Sequence, residues 1–198
     1  MLKYISLILM TLAFTGNALA ATEKAIFGGG CFWCMEPPYD KLEGIISTTS
    51  GYTGGHLENP SYQDVSSGRS GHVEVVEVSY DPEKVSYQQL LEVFWVNVDP
   101  LNSRGQFCDN GSQYLSAIFY LNGNQRRTAE NSLKTLMESN VIKGKIATTI
   151  RPAKKFHPAE EYHQNYYKKN PIRYHYYRHG CGRDKRLEAL WKDVEPPF

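Results

Sequence analysis

The chain has 198 residues, a length that fits one folded domain rather than a repeat array or a multidomain assembly. Its composition, 41% apolar and 22% charged, is that of a globular protein and excludes a disordered or collagen-like chain. The 22 basic residues nearly balance the 21 acidic residues, and this argues against nucleic-acid binding, which needs a strongly basic surface.

The first twenty residues have the pattern of a secretory signal peptide. Lys3 gives a positive start, an apolar run follows over residues 5–14, and the small residues Ala18 and Ala20 precede a cleavage position after Ala20. An uncleaved anchor is the weaker interpretation, because this run is much shorter than the ~20 residues needed to span a membrane. We therefore expect no stable membrane insertion and a single mature domain over residues 21–198, periplasmic or secreted.

Beyond residue 20, the chain alternates strand and helix patterns. Strands are predicted over residues 24–27, 44–50, 72–80, 113–121 and 146–150, and helices over residues 31–42, from a capping box at Ser86 to Trp95, 125–137 and 158–169. The first helix is expected to break soon after Glu36, because Pro37 and Pro38 lack backbone donors. This order predicts an α+β two-layer sandwich with a mixed β-sheet, a ferredoxin-like plait with extensions, and an irregular C-terminal tail from Asn170.

Four cysteines, Cys31, Cys34, Cys108 and Cys181, raise the question of their role. In an oxidising compartment they could form two structural disulfides in any of three pairings. A chain of this length buries a sufficient core without such bonds, so a chemical role is expected for some of the thiols. A zinc site with four thiolates is disfavoured, because it needs two close pairs and only one is present.

Cys31 follows three glycines and opens a predicted helix. The unpaired N–H groups at a helix start favour the thiolate, whereas a buried structural cysteine in a tight turn is the alternative. Cys31 and Cys34 also have the spacing of thioredoxin-like thiol–disulfide oxidoreductases. The intervening Phe32 and Trp33 favour instead a pocket for a small apolar group, although such aromatic residues also serve ordinary cores.

Five ordered blocks resemble the A-type peptide methionine sulfoxide reductases (MsrA). They are Gly30-Cys31-Phe32-Trp33-Cys34, Gly51-Tyr52-Thr53-Gly54-Gly55, Gly71-His72-Val73-Glu74-Val75-Val76, Gln106-Phe107-Cys108-Asp109 and Ala159-Glu160-Glu161-Tyr162-His163-Gln164. The resemblance extends over residues 24–191. It implies reduction of methionine S-sulfoxide, free or in proteins, with no bound cofactor or metal and with electrons from thioredoxin or a thioredoxin-like protein.

The resemblance also implies roles for individual residues. The Cys31 thiolate attacks the sulfoxide sulfur, and an acid protonates the oxygen. Glu74 is expected to be that acid, since alternation places it on the apolar strand face of Val76 and burial should keep it protonated. The hydroxyls of Tyr52 and Tyr114 would bind the oxygen.

Further positions follow from the same resemblance. Phe32 and Trp33 would hold the methyl group, while Asp109 and His163 would support substrate binding. For His163, a structural histidine with satisfied hydrogen bonds is the alternative. Since the chain carries no sign of a stable dimer interface, we expect a monomer.

Recycling requires a second thiol, which condenses with the Cys31 sulfenic acid to a disulfide. The resemblance points to Cys181, carried on a mobile recycling tail over residues 170–198. Cys34 is the competitor, but it is expected to point into the core behind the aromatic wall. Cys108 is expected to be a small buried residue.

Two other classes of function stay open at this point. A disulfide oxidoreductase that uses Cys31 and Cys34 predicts that serine at either position abolishes activity. A non-catalytic exported binding domain predicts that all cysteines are in structural disulfides. The reductase predicts a reactive free thiol at Cys31.

Overall fold

The computed structural model describes residues 21–192 together with residues 196 and 197, so the signal peptide predicted over residues 1–20 lies outside the described residues. The strands are β1 (Glu23–Gly29), β2 (Ile45–Thr53), β3 (Val73–Tyr80), β4 (Gly105–Gln106), β5 (Asp109–Asn110), β6 (Ser116–Tyr120), β7 (Thr149–Pro152) and β8 (His157–Pro158). The helices are α1 (Phe32–Asp40), α2 (Tyr62–Ser66), α3 (Tyr87–Val96), α4 (Gly123–Glu138), α5 (Tyr166–Lys169), α6 (Pro171–Gly180) and α7 (Arg183–Trp191). Among the helices so described, none combines the length and the hydropathy needed to cross a membrane.

The central sheet has the strand order β7-β6-β1-β3-β2-β8, and β4 pairs with β5 in a separate ribbon. Its neighbouring strands run antiparallel except β6 and β7, which are parallel. Because β3 lies between β1 and β2, the β1-α1-β2 segment is a split βαβ unit, and β6 on the other side of β1 completes the ferredoxin-like order. The predicted α+β fold with a mixed sheet is confirmed.

The two faces of the sheet carry different partners. On one face, Phe27 of β1 and Val76 of β3 pack in a large apolar cluster with residues of α1, α3 and α4, such as Phe94. On the other face, Ile26 and Val73 form a smaller cluster. Glu74 alternates with Val73, so it lies on the helix-covered face, beneath α1. The alternation predicted for this strand therefore holds.

Helix α1 differs from its prediction because it continues through both prolines to Asp40. Pro38 cannot donate to the carbonyl of Cys34, which would be its partner in a regular helix. That carbonyl accepts a hydrogen bond from Nη1 of Arg178 instead, at 3.5 Å. A side chain distant in sequence thus replaces the missing backbone donor. Helix α3, by contrast, begins at Tyr87, directly after the predicted capping box residue Ser86.

The prediction of an irregular tail after Asn170 is wrong. The segment forms α6, which has Pro171 in its first turn, and α7. The helices are held by buried side chains rather than by a strong apolar periodicity. Arg183 is only 1% exposed, and it donates to the carbonyl of Gly29 at 2.6 Å and to the carbonyl of Asn97 at 2.9 Å.

Two shorter predictions also need correction. The sequence predicts one helix over residues 158–169, but the segment starts in β8 and becomes helical only in α5. Asn165 has a left-handed conformation, with φ of 52°, which separates α5 from the preceding turns. The strand predicted over residues 113–121 begins only at Ser116, because a short 3-10 turn over Ser112–Tyr114 precedes β6.

Candidate active site

Cys31 lies at the turn between β1 and α1. Gly30 precedes it with a φ of +79°, and a Cβ atom there would lie 2.6 Å from the Cβ of Gln106, so the turn requires glycine. Cys31 is the N-cap residue of α1 and is 7% exposed. The predicted strand, glycine turn and helix are therefore present, with Cys31 at their junction.

A cavity of about 90 Å³ opens above this junction. Its lining residues are Cys31, Phe32, Trp33, Tyr62, Glu74, Asp109, Tyr114 and Tyr177. A thiol, two carboxyl groups and several aromatic rings thus surround a space that admits only a small group. A larger groove of about 470 Å³, between Pro38 of α1 and Tyr174 of α6, is lined by neither Cys31 nor Glu74.

The thiols of Cys31 and Cys34 are free and lie close enough to share a hydrogen bond. Cys34 is buried and packs in a cluster with Trp33 and Tyr166, so it points into the core behind the aromatic wall as expected. Burial and the hydrogen bond to Cys34 raise the pKa of Cys31 well above its usual value. The same hydrogen bond lowers the pKa of Cys34 to about 7. The resting Cys31 is thus a protonated thiol, because desolvation outweighs the effect of the helix start.

Glu74 projects from β3 into the cavity, directly across from Tyr52 of β2 in the sheet register. It is 1% exposed, and its Oε2 accepts a hydrogen bond from the backbone N–H of Phe32 at 3.2 Å. Burial raises the pKa of this carboxyl to about 8, and the single backbone hydrogen bond only partly offsets that rise. The carboxyl is therefore protonated at neutral pH, as its position in the sequence predicts.

Phe32 and Trp33 form one wall of the cavity. The Trp33 ring stacks on Tyr166 with a centroid distance of 3.7 Å, and its Nε1 donates to Nδ1 of His163 at 3.1 Å. His163 does not line the cavity; it is buried behind the wall and also packs on Phe32 at 4.9 Å. Its contribution is therefore to hold the two aromatic side chains in place.

The tyrosine hydroxyls require a correction. Tyr114 lines the cavity as expected, but Tyr52 does not, and its hydroxyl donates to Oε2 of Glu160 at 2.9 Å. The hydroxyl close to that of Tyr114 belongs to Tyr62, at the start of α2. Tyr52 projects from the same sheet face as Glu74, but Glu160 engages its hydroxyl outside the cavity lining.

Asp109 and Tyr177 also line the cavity. The Tyr177 hydroxyl donates to Oδ2 of Asp109 at 2.6 Å, and its ring meets Trp33 edge-on at 5.8 Å. Burial raises the pKa of Asp109 above its usual value, while this hydrogen bond and Arg183 partly lower it. A residue of the C-terminal helix α6 thus completes the site.

A disulfide joins Cys108 to Cys181. Cys108 is exposed, so the prediction of a small buried residue is wrong. The bond links the loop that precedes Asp109 to the end of α6, and the Cys181 sulfur lies 3.9 Å from Oδ2 of Asp109. Cys181 is consequently near the cavity, but its sulfur is bonded to Cys108 and not to Cys31.

Sequence reasoning missed Tyr62, Tyr177 and Glu160. Tyr62 had a local signal, because Ser61 and Asp64 form a capping box that starts α2. Tyr177 had only an indirect one, the proline in the first turn of α6. The position of Glu160 depends on how a later segment folds against β2, which no local pattern reveals.

Within residues 21–192, one group of side chains has metal-ligating chemistry: Cys108, Asp109 and Cys181. The two sulfurs are joined to each other, so they offer no thiolate to a metal in this state. The cavity itself is lined by one thiol, two carboxyl groups and several aromatic rings. Its side chains are suited to reaction with a small organic group.

Comparison with known proteins gives one consistent result. The family model for peptide methionine sulfoxide reductase matches residues 23–195. A Bacillus licheniformis protein, peptide methionine sulfoxide reductase MsrA, is 52% identical over 169 residues, which cover 85% of this chain and 93% of that protein. The MsrA of Bacillus subtilis strain 168 is 48% identical, with 85% of this chain and 96% of that protein covered.

Solved structures agree with the sequence relatives. Reduced Mxr1 of Saccharomyces cerevisiae superposes with a TM-score of 0.70 at 33% identity, covering 77% of this chain and 88% of that chain. Methionine sulfoxide reductase A of Corynebacterium diphtheriae gives 0.68 at 34% identity, covering 76% of each chain. The resemblance seen in the sequence blocks is confirmed, and the chain belongs to the peptide methionine sulfoxide reductase family.

Proposed function

We propose that this enzyme of methionine sulfoxide reduction uses Cys31 as the nucleophile and Glu74 as the acid. One observation carries the proposal: the Cys31 thiol and a protonated carboxyl line the same cavity of about 90 Å³. The sulfur of Cys31 attacks the sulfoxide sulfur, and Glu74 gives its proton to the oxygen as the S–O bond weakens. The hydroxyl then passes from the substrate sulfur to the Cys31 sulfur as the transient S–S bond between them breaks, so Cys31 becomes a sulfenic acid and methionine leaves.

The remaining cavity residues orient the substrate. Phe32 and Trp33 offer an apolar wall for the methyl group, and the hydroxyls of Tyr62 and Tyr114 take the place proposed for hydrogen bonds to the oxygen. An apolar group on one side and an oxygen on the other leave one arrangement in which the sulfur faces Cys31. This supports selectivity for the S epimer, since one enzyme type serves each sulfoxide epimer.

Single-turnover chemistry tests these roles. Protein with free Cys31 and Cys34 is mixed with methionine S-sulfoxide without a reductant, and released methionine is measured by mass spectrometry. The native chain should release about one methionine per chain, and Cys31→Ser should release none. The R epimer should give no burst. Methionine release by Cys31→Ser would refute the nucleophile.

For recycling, the contact between the two free thiols favours Cys34 as the first partner of the Cys31 sulfenic acid. The Cys34 sulfur displaces the sulfenic oxygen as water, which leaves a Cys31–Cys34 disulfide. Cys181, the partner implied by the sequence resemblance, is held by Cys108. If Cys34 is the thiol that reacts with the sulfenic acid, Cys34→Ser should still reduce one sulfoxide per chain but should lose multiple turnover. If Cys181 is that thiol, Cys181→Ser should show this behaviour instead. Disulfide mapping after one round identifies the partner directly.

A thioredoxin-like dithiol protein is the proposed electron donor. Its attack on the disulfide returns two thiols to the enzyme and leaves the donor oxidised, so electrons and protons balance. The free pair Cys31 and Cys34 lies at the start of α1, and a sulfur at a helix start is a favourable target for such exchange. Turnover that needs thioredoxin with its reductase, and that is absent with either alone, is the expected result.

Export and a monomeric state complete the proposal. Residues 1–20 have the charge and hydropathy pattern of a signal peptide, and the family match begins only at residue 23. N-terminal sequencing of the protein from a periplasmic fraction should start at Ala21. Light scattering should give the mass of one chain; a stable dimer would refute the monomer.

A further inference from the structure

The proposed reaction leaves the proton of the Cys31 thiol without an acceptor. Cys31 is buried and its pKa is raised, so the resting group is the thiol rather than the thiolate. Attack on the sulfoxide requires that this proton leaves as the new bond forms. Glu74 is not available to take it, since it is itself protonated and gives its proton to the oxygen. Another group beside Cys31 must therefore accept a proton.

Tyr177 has the position for this task. Its side chain lines the same small cavity as the Cys31 thiol. Its hydroxyl donates to Oδ2 of Asp109 at 2.6 Å. A donating hydroxyl keeps its oxygen lone pairs free, so Tyr177 can accept from the Cys31 thiol while it donates to Asp109. The thiol, the hydroxyl and the carboxylate thus line one small cavity, and the hydroxyl and the carboxylate are already hydrogen-bonded to each other.

We propose that Tyr177 is a further catalytic residue, which relays the proton of the Cys31 thiol to Asp109 as the thiol attacks. The Tyr177 oxygen takes the thiol proton and releases its own hydroxyl proton to Oδ2 of Asp109, so tyrosine is unchanged. The carboxylate becomes a carboxylic acid, while Glu74 becomes a carboxylate after protonating the sulfoxide oxygen. Protons are conserved, and exchange with solvent resets both carboxyl groups. The proposal rests on Cys31 as the nucleophile.

The titratable groups that face Cys31 are Cys34 from α1, Tyr62 from α2, Glu74 from β3, Asp109 from β5 and Tyr177 from α6. Cys34 is the competing acceptor, because its thiol contacts Cys31 directly. Asp109 has one advantage over it. Cys34 must later bond to the Cys31 sulfenic acid, whereas Asp109 has no bond-forming role and only has to hold the proton; burial raises the pKa of its carboxyl above the usual value.

The fold holds the relay together through its cross-link. Cys108 precedes Asp109 directly, and Cys181 follows α6, which carries Tyr177. The disulfide therefore ties the donor helix to the acceptor strand at the point where the relay needs them close. The ring of Tyr177 packs edge-on against Trp33, and its hydroxyl is held by Asp109, so both ends of the side chain are positioned.

The test compares Tyr177→Phe with Tyr176→Phe. The first removes only the hydroxyl and keeps the ring against Trp33, whereas Tyr176 is 84% exposed and serves as the matched control. The rate of methionine formation in a single turnover should fall about 10²-fold in Tyr177→Phe and stay unchanged in Tyr176→Phe. The pH at which iodoacetamide alkylates Cys31 at half its maximal rate, followed by peptide mapping, should move upward only in Tyr177→Phe.

Asp109→Asn provides an independent arm, since it keeps a hydrogen-bond acceptor for Tyr177 but removes the base. It should slow the single turnover similarly, and the double variant with Tyr177→Phe should be no slower than either. Equal rates and alkylation profiles for Tyr177→Phe and Tyr176→Phe would overturn the relay. A slow first turnover in Cys34→Ser but not in Tyr177→Phe would overturn it too. Activity in Cys31→Ser would instead refute the nucleophile, so the two failures are distinguishable.

Discussion

Replacing Glu74 by glutamine separates the catalytic role of this carboxyl from its effect on stability. Glutamine has nearly the same shape and can still accept the hydrogen bond from the Phe32 N–H, but it has no acidic proton to give. Loss of a general acid costs about 10²- to 10⁴-fold in rate. In the native enzyme the single-turnover rate should also fall as pH rises through about 8, the pKa of Glu74. That fall should be absent in the variant.

Glu74→Gln should lower the activity but raise the free energy of unfolding at high pH. Burial raises the pKa of Glu74 from 4.5 to about 8, so the folded chain holds this proton more tightly than the unfolded chain. The stability associated with the proton is complete below about pH 4.5 and is lost as pH rises through about 8. Glutamine removes this dependence. The gain in free energy of unfolding from Glu74→Gln should therefore grow by about 4 kcal/mol between about pH 5 and about pH 9.

The assay is a pair of pH series, one of methionine released in a single turnover and one of urea unfolding. Glu36→Gln is the matched control, because Glu36 is also buried, with a pKa raised to about 7, and does not line the cavity. Its variant should gain stability at high pH and keep its activity. A Glu74→Gln protein that reduces the sulfoxide at the native rate, or that gains no stability at high pH, would refute the reasoning.

Three further predictions concern other parts of the fold. Cys108→Ser removes a cross-link over 73 residues, and it should lower the free energy of unfolding by about 4 kcal/mol in urea titrations without a reductant; an unchanged midpoint would contradict this. Gly30→Ala should lower both stability and activity because of its positive φ and the close Gln106, whereas Gly180→Ala, with open space around it, should do neither. Tyr62→Phe should slow the single turnover more than Tyr52→Phe does, since the latter hydroxyl is engaged by Glu160; the reverse order would restore Tyr52 to the site.

The sequence predicts most of the sheet and the position of Cys31, because these depend on local patterns. β3 shows clean alternation, α3 begins with a capping box, and the glycines before Cys31 mark the turn. The burial of Glu74 follows from the same alternation. Elements that are marked by hydrophobic alternation or by a capping box can thus be predicted from the sequence alone.

The remaining features depend on contacts between distant residues. The helix start alone predicts an ionised Cys31, but burial and the neighbouring Cys34 thiol raise its pKa and keep it protonated. Arg178 donates to the carbonyl that Pro38 leaves without a backbone partner, and Arg183 at the start of α7 donates to the carbonyl of Gly29. No local sequence pattern indicates which distant carbonyl either arginine binds. The sequence therefore predicts an irregular tail.

The C-terminal helices have a consequence for biosynthesis. Tyr177 lines the cavity, and Arg183 binds the carbonyl of Gly29 beside the turn that presents Cys31. A ribosome makes these two residues long after it has made the nucleophile. A nascent chain therefore carries its nucleophilic cysteine before the cavity around it is complete. Catalytic activity arises only when nearly the whole polypeptide has emerged from the ribosome and folded.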